Sequence, residues 1–193
     1  MSTTQNGPAA AARRPRADAQ RNAARVLEAA SEVFAEQGAQ ASLETIAARA
    51  CVGIGTLYRH FPNRDALVEA VFRDTIETSR ARAEELLVSN DAGEALAIFL
   101  REQMDQSSAC RGLAAEAMIM MLDEGERRAC EPLREAGAKL LARAQAAGQA
   151  RTDTDIDDLM RLVNAIGMAT EDAPDREAQA GRLFALMMGG LRP

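Results

Sequence analysis

One short stretch of the chain concentrates side chains that can donate hydrogen bonds. Tyr58, Arg59 and His60 follow one another, and Arg64 comes four residues later. A phenol hydroxyl, an imidazole and two guanidinium groups are donors suited to phosphate oxygens, and arginine also forms paired hydrogen bonds with guanine. What these donors bind depends on the helices that position them.

Catalytic chemistry has few candidate groups in this sequence. His60 is the single histidine, so multi-histidine metal sites are excluded, and a Ser-His-Asp or Cys-His arrangement would have to form at this one position. The sequence has no phosphate-cradling glycine loop, no His-Glu-x-x-His and no Cys-x-x-Cys. We predict that the chain is not an enzyme and that it needs neither a metal nor another cofactor.

The composition indicates an all-α protein. Hydrophobic residues make up 47% of the 193 residues, whereas aromatic residues make up 3% and tryptophan is absent. This balance favours packed helices over β-sandwiches or barrels. No apolar run approaches the roughly 18 residues that cross a bilayer, and residues 1–17 lack a hydrophobic signal region. We expect a cytoplasmic protein that does not act at a membrane.

The formal net charge of −6 is unevenly distributed. Residues 1–80 hold 10 of the 23 basic residues and 9 of the 29 acidic residues, so the negative charge belongs to residues 81–193. Near the start, five arginines have Asp18 as their one acidic neighbour; they are Arg13, Arg14, Arg16, Arg21 and Arg25. This concentration favours a local phosphate-binding face, although an arginine-rich arm is also typical of a solubilising segment.

Periodicity and capping signals predict a flexible arm over residues 1–17 and a DNA-binding domain over 18–80. The predicted helices run from Asp18 to Gly38, from Ser42 to Ala50, from Ile54 to His60 and from Asp65 to about Val88, with Asp18, Ser42 and Asp65 as N-caps. Two short helices that are joined by a tight turn and braced by a longer helix have the spacing of a helix-turn-helix. The second short helix of such a motif fits the major groove of DNA.

The wording of this segment is more specific than its spacing. It reads Ser42-Leu-Glu-Thr-Ile-Ala47, then Val52-Gly-Ile-Gly-Thr-Leu-Tyr-Arg-His-Phe-Pro-Asn-Arg64, followed by Leu67, and Phe34-Ala-Glu-Gln-Gly38 precedes it. Over about residues 20–80 this pattern resembles the DNA-binding domain of the TetR/AcrR family of transcriptional repressors. The resemblance implies a homodimer that binds a palindromic operator in double-stranded DNA and releases it when a small molecule enters a larger C-terminal domain.

The resemblance also assigns roles to individual residues. The residues expected to contact DNA are Ser42, Thr45, Gly55, Thr56, Tyr58, Arg59, His60 and Arg64. Gly55 and Thr56 would allow close approach to base edges, while Tyr58 would lie along the sugar-phosphate backbone. Leu57 and Phe61 are expected in the core. Packing for Tyr58 and helix capping for His60 are alternatives.

Two departures from the family pattern concern the turn between the short helices. Cys51 stands where the family commonly has glycine, and a left-handed backbone at a residue with a side chain costs on the order of 1 kcal/mol. Gly53 replaces a frequent capping serine and is a poorer N-cap. We expect strain at Cys51 and a weakly capped third helix.

Residues 81–193 are predicted to form a helical domain for ligand binding and dimerisation. Helices are expected at about 91–107, 111–123, 125–147, 155–170 and 174–191. Apolar stripes predict an effector pocket lined by Phe99, Met104, Met118 and Met121. Surplus apolar surface on the last two helices predicts a four-helix dimer interface through Leu159, Val163, Ile166, Phe184 and Met187. An intrachain core would explain both sets as well.

Two other functions remain open. The cysteines Cys51, Cys110 and Cys130 are odd in number, which argues for reduced thiols, and a thiol-based redox-responsive regulator could use Cys110 and Cys130. The chain could also be a helical small-molecule-binding protein without DNA binding. Salt-dependent, sequence-selective binding to DNA separates the ligand-responsive regulator from both.

Overall fold

A computed structural model describes residues 9–38, 40–109, 124–170 and 173–193. These residues form α-helices and contain no strands, which confirms the all-α prediction. In chain order the helices are α1 (Ala9–Gln37), α2 (Leu43–Arg49), α3 (Ile54–His60), α4 (Arg64–Leu86), α5 (Ala92–Ala109), α6 (Glu124–Ala146), α7 (Ile156–Ala169) and α8 (Arg176–Leu191). The helix predicted at 111–123 lies outside the described residues.

Two helices begin at other residues than the sequence predicted. α1 starts at Ala9, so its predicted start at Asp18 is wrong. The run of alanines before Arg13 extends the helix, because alanine has the highest intrinsic helix propensity, and Asp18 pairs with Arg21 instead of capping. α4 is capped by Asn63, whose Oδ1 accepts the Ala66 backbone N–H at 2.8 Å, so the prediction of Asp65 as its cap is wrong.

The first of two compact units is Met1–Val71. In it, α1 packs against α2 and α3. The core contains one buried face of each helix and the beginning of α4; its members include Val26, Val33, Phe34, Ile46, Leu57, Phe61 and Leu67. Burial of Leu57 and Phe61 confirms their prediction as core residues. Gly38 ends α1 as predicted, with φ of +80° and its N–H bonded to the Phe34 carbonyl at 2.8 Å.

The second compact unit is Phe72–Pro193. α5 packs against α6 and α7, and α7 packs against α6 and α8. Aspartates before two of these helices act as N-caps: Asp91 accepts the Glu94 N–H at 3.0 Å, and Asp155 accepts the Asp158 N–H at 2.9 Å. The most deeply buried large side chains of this unit are Leu96, Phe99, Leu100, Met104, Leu140 and Val163. Helix packing around α5 therefore supplies the core.

Candidate nucleic-acid interface

α2 is fastened to α1 by an apolar contact and an ion pair. Ile46 and Ala47 are buried. On the outside, the Arg49 guanidinium donates to both carboxylate oxygens of Glu36 at 2.6 and 2.8 Å, with Glu32 at 3.7 Å. The hydrogen bonds from Arg49 lower the pKa of Glu36, and the same contacts raise the pKa of Arg49. These contacts hold α2 against α1, and we call this pair of helices the platform for the turn and α3 that follow.

The turn between α2 and α3 contains a left-handed residue. Cys51 has φ of +52° and is the one non-glycine residue with positive φ in the described ranges. Its N–H bonds to the Ala48 carbonyl at 3.0 Å, and the next N–H, of Val52, bonds to the Ala47 carbonyl at 3.0 Å. The backbone at Cys51 is therefore left-handed, which is the condition for the strain that the sequence analysis expects at this residue.

α3 begins with a cap made by the backbone alone. The Gly53 carbonyl accepts the Thr56 N–H at 2.8 Å, and no side-chain cap bond is present at this helix start. This agrees with the expectation of a weak cap. A start without a side chain also leaves the surface around Gly53 and Gly55 open, since a Cβ built at either residue meets no atom within 4 Å.

One face of α3 is turned away from the core. Leu57 is fully buried, whereas Ile54, Gly55, Tyr58 and Arg59 are exposed. Tyr58 keeps 45% of its surface accessible, which speaks against its alternative role as a packing residue. The exposed residues follow helical spacing, so they form a single strip of surface. We call Ile54, Gly55, Tyr58 and Arg59 the outer face of α3.

Two predicted contact residues of α3 lie beside the outer face. Thr56 and His60 are half-buried. The Nε2 atom of His60 is buried and has no hydrogen-bond partner in the described structure, and the helix is capped at its end by Phe61. A phosphate contact through Nε2 would require the imidazole to turn.

Ser42 caps α2 as predicted, and this role occupies its hydroxyl. The Ser42 oxygen accepts the Thr45 backbone N–H at 3.2 Å. The same hydroxyl donates to Glu44 Oε2, with 2.8 Å between the two oxygens. The hydrogen bond from Ser42 lowers the pKa of Glu44, and the charge of Arg64 adds a smaller effect. Thr45 is half-buried. A DNA phosphate would therefore compete with Glu44 for the Ser42 proton.

Arg64 has a structural contact that the sequence analysis missed. Its Nη1 donates to the Ala41 carbonyl at 2.7 Å, and the residue is half-buried. This bond ties the first residue of α4 to the chain just before α2. Removing Arg64 would therefore disturb the domain as well as any DNA contact. No local pattern signals a bond between residues 23 positions apart.

Ile54 is an outer-face residue that the sequence analysis did not assign to DNA. It is 37% exposed at the first position of α3. The signal was present in the sequence, since Ile54 precedes Tyr58 by four residues and side chains at that spacing share a helix face. An apolar residue such as Ile54 is more readily interpreted as a core residue, so the sequence pattern alone did not single it out.

In the second unit, the four predicted effector residues are not brought together at one described site. Phe99 and Met104 are buried, and Met118 and Met121 lie outside the described residues. Phe99 packs so closely on α6 that a Cβ at Gly137 would lie 2.9 Å from its Cε1 atom. Met104 lines an open cleft of about 1000 Å³ beside Arg101, Asp105 and the start of α8. Phe99 is not among the residues that line it.

Two of the ionisable side chains that line this cleft, Arg101 and Asp105, are influenced by neighbouring groups. The Arg101 guanidinium carbon lies 4.7 Å from the centre of the Phe184 ring, in a cation–π contact. Burial raises the pKa of Asp105, and the charge of Arg101 opposes this shift. The cleft therefore combines a buried methionine with a fixed cation and a partly desolvated carboxyl group.

The predicted dimer residues contribute to the core of their own chain. Leu159, Val163 and Phe184 are buried, and Ile166 and Met187 pack against the same cluster. This packing matches the alternative of an intrachain core for these five residues. Other large apolar side chains of α7 and α8 are exposed instead; they are Leu162, Met168 and Leu186.

The described parts of the chain contain neither a candidate metal site nor a candidate membrane-spanning helix. No group of three or more histidine, cysteine, aspartate or glutamate residues has the arrangement of a metal site. No described helix is long and apolar enough to cross a membrane. Cys51 is exposed and Cys130 half-buried, and neither forms a disulfide, whereas Cys110 falls outside the described ranges.

Family models match both units of the chain. Residues 26–71 match the model of bacterial regulatory proteins of the tetR family. Residues 91–193 match the model of the SbtR-like transcriptional regulator C-terminal domain.

Curated relatives match the N-terminal part. The HTH-type transcriptional regulator UidR of Escherichia coli (strain K12) is 38% identical over 69 residues, which is 35% of each chain. The HTH-type transcriptional repressor Rv3405c of Mycobacterium tuberculosis is 50% identical over 50 residues, 25% of this chain and 27% of the relative. The chain thus spans about a third or less of the length of these curated relatives.

Solved structures match nearly the whole chain. The TetR regulator SCO0520 from Streptomyces coelicolor has 36% identity and a TM-score of 0.73 over 89% of this chain and 98% of its own. A TetR regulatory protein from Mycobacterium vanbaalenii has 36% identity and a TM-score of 0.70 over 92% and 99%. LfrR from Mycobacterium smegmatis, solved with proflavine, shares the fold at 23% identity, with a TM-score of 0.68 over 90% and 98%. The chain belongs to the TetR family of helix-turn-helix transcriptional regulators, which are DNA-binding regulators and not enzymes.

Proposed function

We propose that this regulator is a homodimeric repressor that binds a palindromic operator and leaves it when a small molecule binds. Residues 18–80 would bind DNA, and residues 81–193 would bind the effector and the second subunit. Because bacterial operator DNA lies in the cytoplasm, the protein would act there. The single observation that carries the proposal is the outer face of α3, which is exposed on a platform held by Arg49 and Glu36.

The outer face has the chemistry of a major-groove probe. Gly55 permits close approach because no atom lies within 4 Å of its Cβ position. Tyr58 can place its ring against a sugar and its hydroxyl on a phosphate, while Arg59 can reach a phosphate or a guanine edge. The other predicted contact residues would position the duplex, in part through backbone N–H groups; they are Ser42, Thr45, Thr56, His60 and Arg64.

Positive charge at the start of the chain would add affinity that does not depend on sequence. Arg21 and Arg25 are exposed on α1, and Arg13, Arg14 and Arg16 precede them in the sequence. Each arginine that reaches a phosphate releases counterions, so binding should weaken as salt rises. Arg21 already pairs with Asp18, but a pair exposed on both sides contributes little and can be exchanged for a phosphate.

Dimerisation would involve exposed apolar side chains of the last two helices. Leu186 is 73% exposed, and Leu162 and Met168 are also exposed. These residues would meet the equivalent helices of a second subunit, with Ile166 and Met187 at the edge of the contact. Leu159, Val163 and Phe184 would support that surface from inside the chain. Two recognition helices would then lie about 34 Å apart, one turn of DNA.

The effector would enter the cleft that contains Met104 and Asp105. Methionine adapts its shape to varied apolar ligands, and a partly desolvated carboxyl group can bind a polar end. LfrR, which shares the fold, was solved with a small molecule, proflavine. A role for Phe99 would be to support the cleft from the core, and Met118 and Met121 stay predicted lining residues.

In vitro selection from random double-stranded DNA tests the proposal. The wild-type protein should recover a palindromic sequence and bind it in fluorescence anisotropy with an affinity that falls as salt rises. Tyr58→Ala should weaken binding at least tenfold without loss of the helical circular dichroism signal. Arg59→Gln should also reduce the salt dependence by about one phosphate contact per subunit.

A matched control is Arg161→Gln, because Arg161 is an exposed arginine of the second unit. It should leave both affinity and salt dependence unchanged. Failure of wild-type protein to select any sequence would refute the proposal and favour a helical small-molecule-binding protein without DNA binding. Loss of selected binding on mild oxidation that Cys110→Ser or Cys130→Ser prevents would favour the redox-responsive alternative.

A further inference from the structure

Ile54 is an apolar side chain that the fold leaves on the outer face of α3. Among the described residues of Met1–Val71, Ile54 and Tyr58 are the large hydrophobic side chains that remain exposed, at 37% and 45%. The other large apolar residues of α2 and α3, Leu43, Ile46 and Leu57, are buried. Exposure of Ile54 is therefore an exception that the core does not explain.

The neighbours of Ile54 keep its surroundings open. Gly53 and Gly55 flank it, and a Cβ at either position would meet no atom within 4 Å. Its partner one turn later is Tyr58, followed by Arg59, and both carry hydrogen-bond donors. The apolar group thus lies at the beginning of a strip whose other functional groups suit phosphates and base edges.

The major groove contains one apolar group that fits this position. Thymine presents its 5-methyl group there, whereas the edges of the other bases present hydrogen-bond donors and acceptors. We propose that Ile54 contacts the 5-methyl group of a thymine in each operator half-site and so selects thymine at that position. The proposal rests on operator binding through α3 and adds the identity of the base that the helix start recognises.

Deoxyuridine tests this contact, because it differs from thymidine only by the missing methyl group. Each thymine of the selected operator is replaced in turn, symmetrically in both half-sites, and the affinity of the full-length protein is measured by anisotropy. Burying one methyl corresponds to about a fourfold change in affinity. Replacement at one position should therefore weaken wild-type binding about sixteenfold over two half-sites, while other positions change less.

The Ile54→Ala variant identifies the side chain responsible. It should bind the thymidine operator more weakly than wild type and should lose the sensitivity to deoxyuridine at that position. Val88→Ala is the matched control, since Val88 is a β-branched apolar residue that is 85% exposed in the second unit. It should behave like wild type on every operator. Circular dichroism verifies that both variants are folded.

Three results would overturn the proposal. Wild-type protein could bind every deoxyuridine operator as tightly as the thymidine operator. This result would overturn the proposal without any measurement on a variant protein. Ile54→Ala could remain as sensitive to deoxyuridine as wild type, which would assign the methyl contact to another residue. Selection could also recover no sequence at all, in which case operator binding itself fails, and this outcome is distinguishable from the first two.

Discussion

The guanidinium group of Arg49 on α2 donates to both oxygens of the Glu36 carboxylate on α1, at 2.6 and 2.8 Å. Two parallel hydrogen bonds hold the plane of the guanidinium against that of the carboxylate, which restricts rotation of α2 on α1. α3 follows α2 after a short turn, so the direction of the outer face depends on this pair. Both side chains are partly exposed, which makes the pair modest in energy but effective in orientation.

Acidification should weaken this link. The pKa of Glu36 is lowered in the folded protein because Arg49 donates hydrogen bonds to it. Its stabilising effect is therefore present above the unfolded glutamate pKa of about 4.3 and is lost as pH falls through the lower folded value. We expect Glu36→Gln to be less stable than wild type at pH 7, with a difference that shrinks as pH falls below about 4.

Chemical denaturation between pH 3 and pH 7 measures this difference. Glu28→Gln is the control, since Glu28 is an exposed glutamate of the same helix, and it should follow wild type throughout. Parallel pH profiles for Glu36→Gln and wild type would show that the ion pair makes no contribution to stability.

Replacing Cys51 with glycine should stabilise the protein. Cys51 has φ of +52°, and a residue with a side chain pays on the order of 1 kcal/mol for that conformation. We expect Cys51→Gly to raise the free energy of unfolding by about 1 kcal/mol in a urea titration. Cys51→Ala removes the thiol but keeps the Cβ atom, so it should show no such gain. An unchanged or lower stability of Cys51→Gly would contradict backbone strain at the turn.

A methyl group at Gly137 should destabilise the second unit. The Cβ of an alanine there would lie 2.9 Å from Phe99 Cε1 and 3.1 Å from Ile156. Overpacking of this kind costs about 1–3 kcal/mol, because the ring and the isoleucine must shift. Gly189→Ala is the control: it adds the same methyl to helix α8 where no atom lies within 4 Å. Thermal unfolding should show a lower midpoint for Gly137→Ala and no decrease for Gly189→Ala.

A charge at Leu186 should weaken the proposed dimer. Leu186 is 73% exposed on α8, so a lysine there leaves the subunit folded but would have to be desolvated in the subunit contact. We expect Leu186→Lys to raise the dimer dissociation constant at least tenfold in sedimentation equilibrium. Val88→Lys alters an exposed apolar residue before α5 and should keep the wild-type value. An unchanged dissociation constant for Leu186→Lys would exclude this surface as the interface.

Sequence patterns predicted most local features because those features depend on neighbouring residues. Ser42 as an N-cap, Gly38 as a stop and the left-handed backbone at Cys51 each involve contacts within one or two turns. The same reasoning failed for the start of α1 and the cap of α4. Several residues near each boundary have similar capping or helix-forming tendencies, and small energy differences decide among them.

The amino-acid sequence by itself determined an all-helical chain with a helix-turn-helix near its start, since helix propensity, caps and apolar spacing are local properties. The tertiary structure alone decided which side chains face outward. It exposed Ile54, turned the Nε2 atom of His60 inward and used Arg64 to hold the Ala41 carbonyl. It also buried Val163 in the core of its own chain. An apolar helix face has the same sequence pattern whether its neighbour is another helix of the chain, a second subunit or DNA, and only long-range packing distinguishes them.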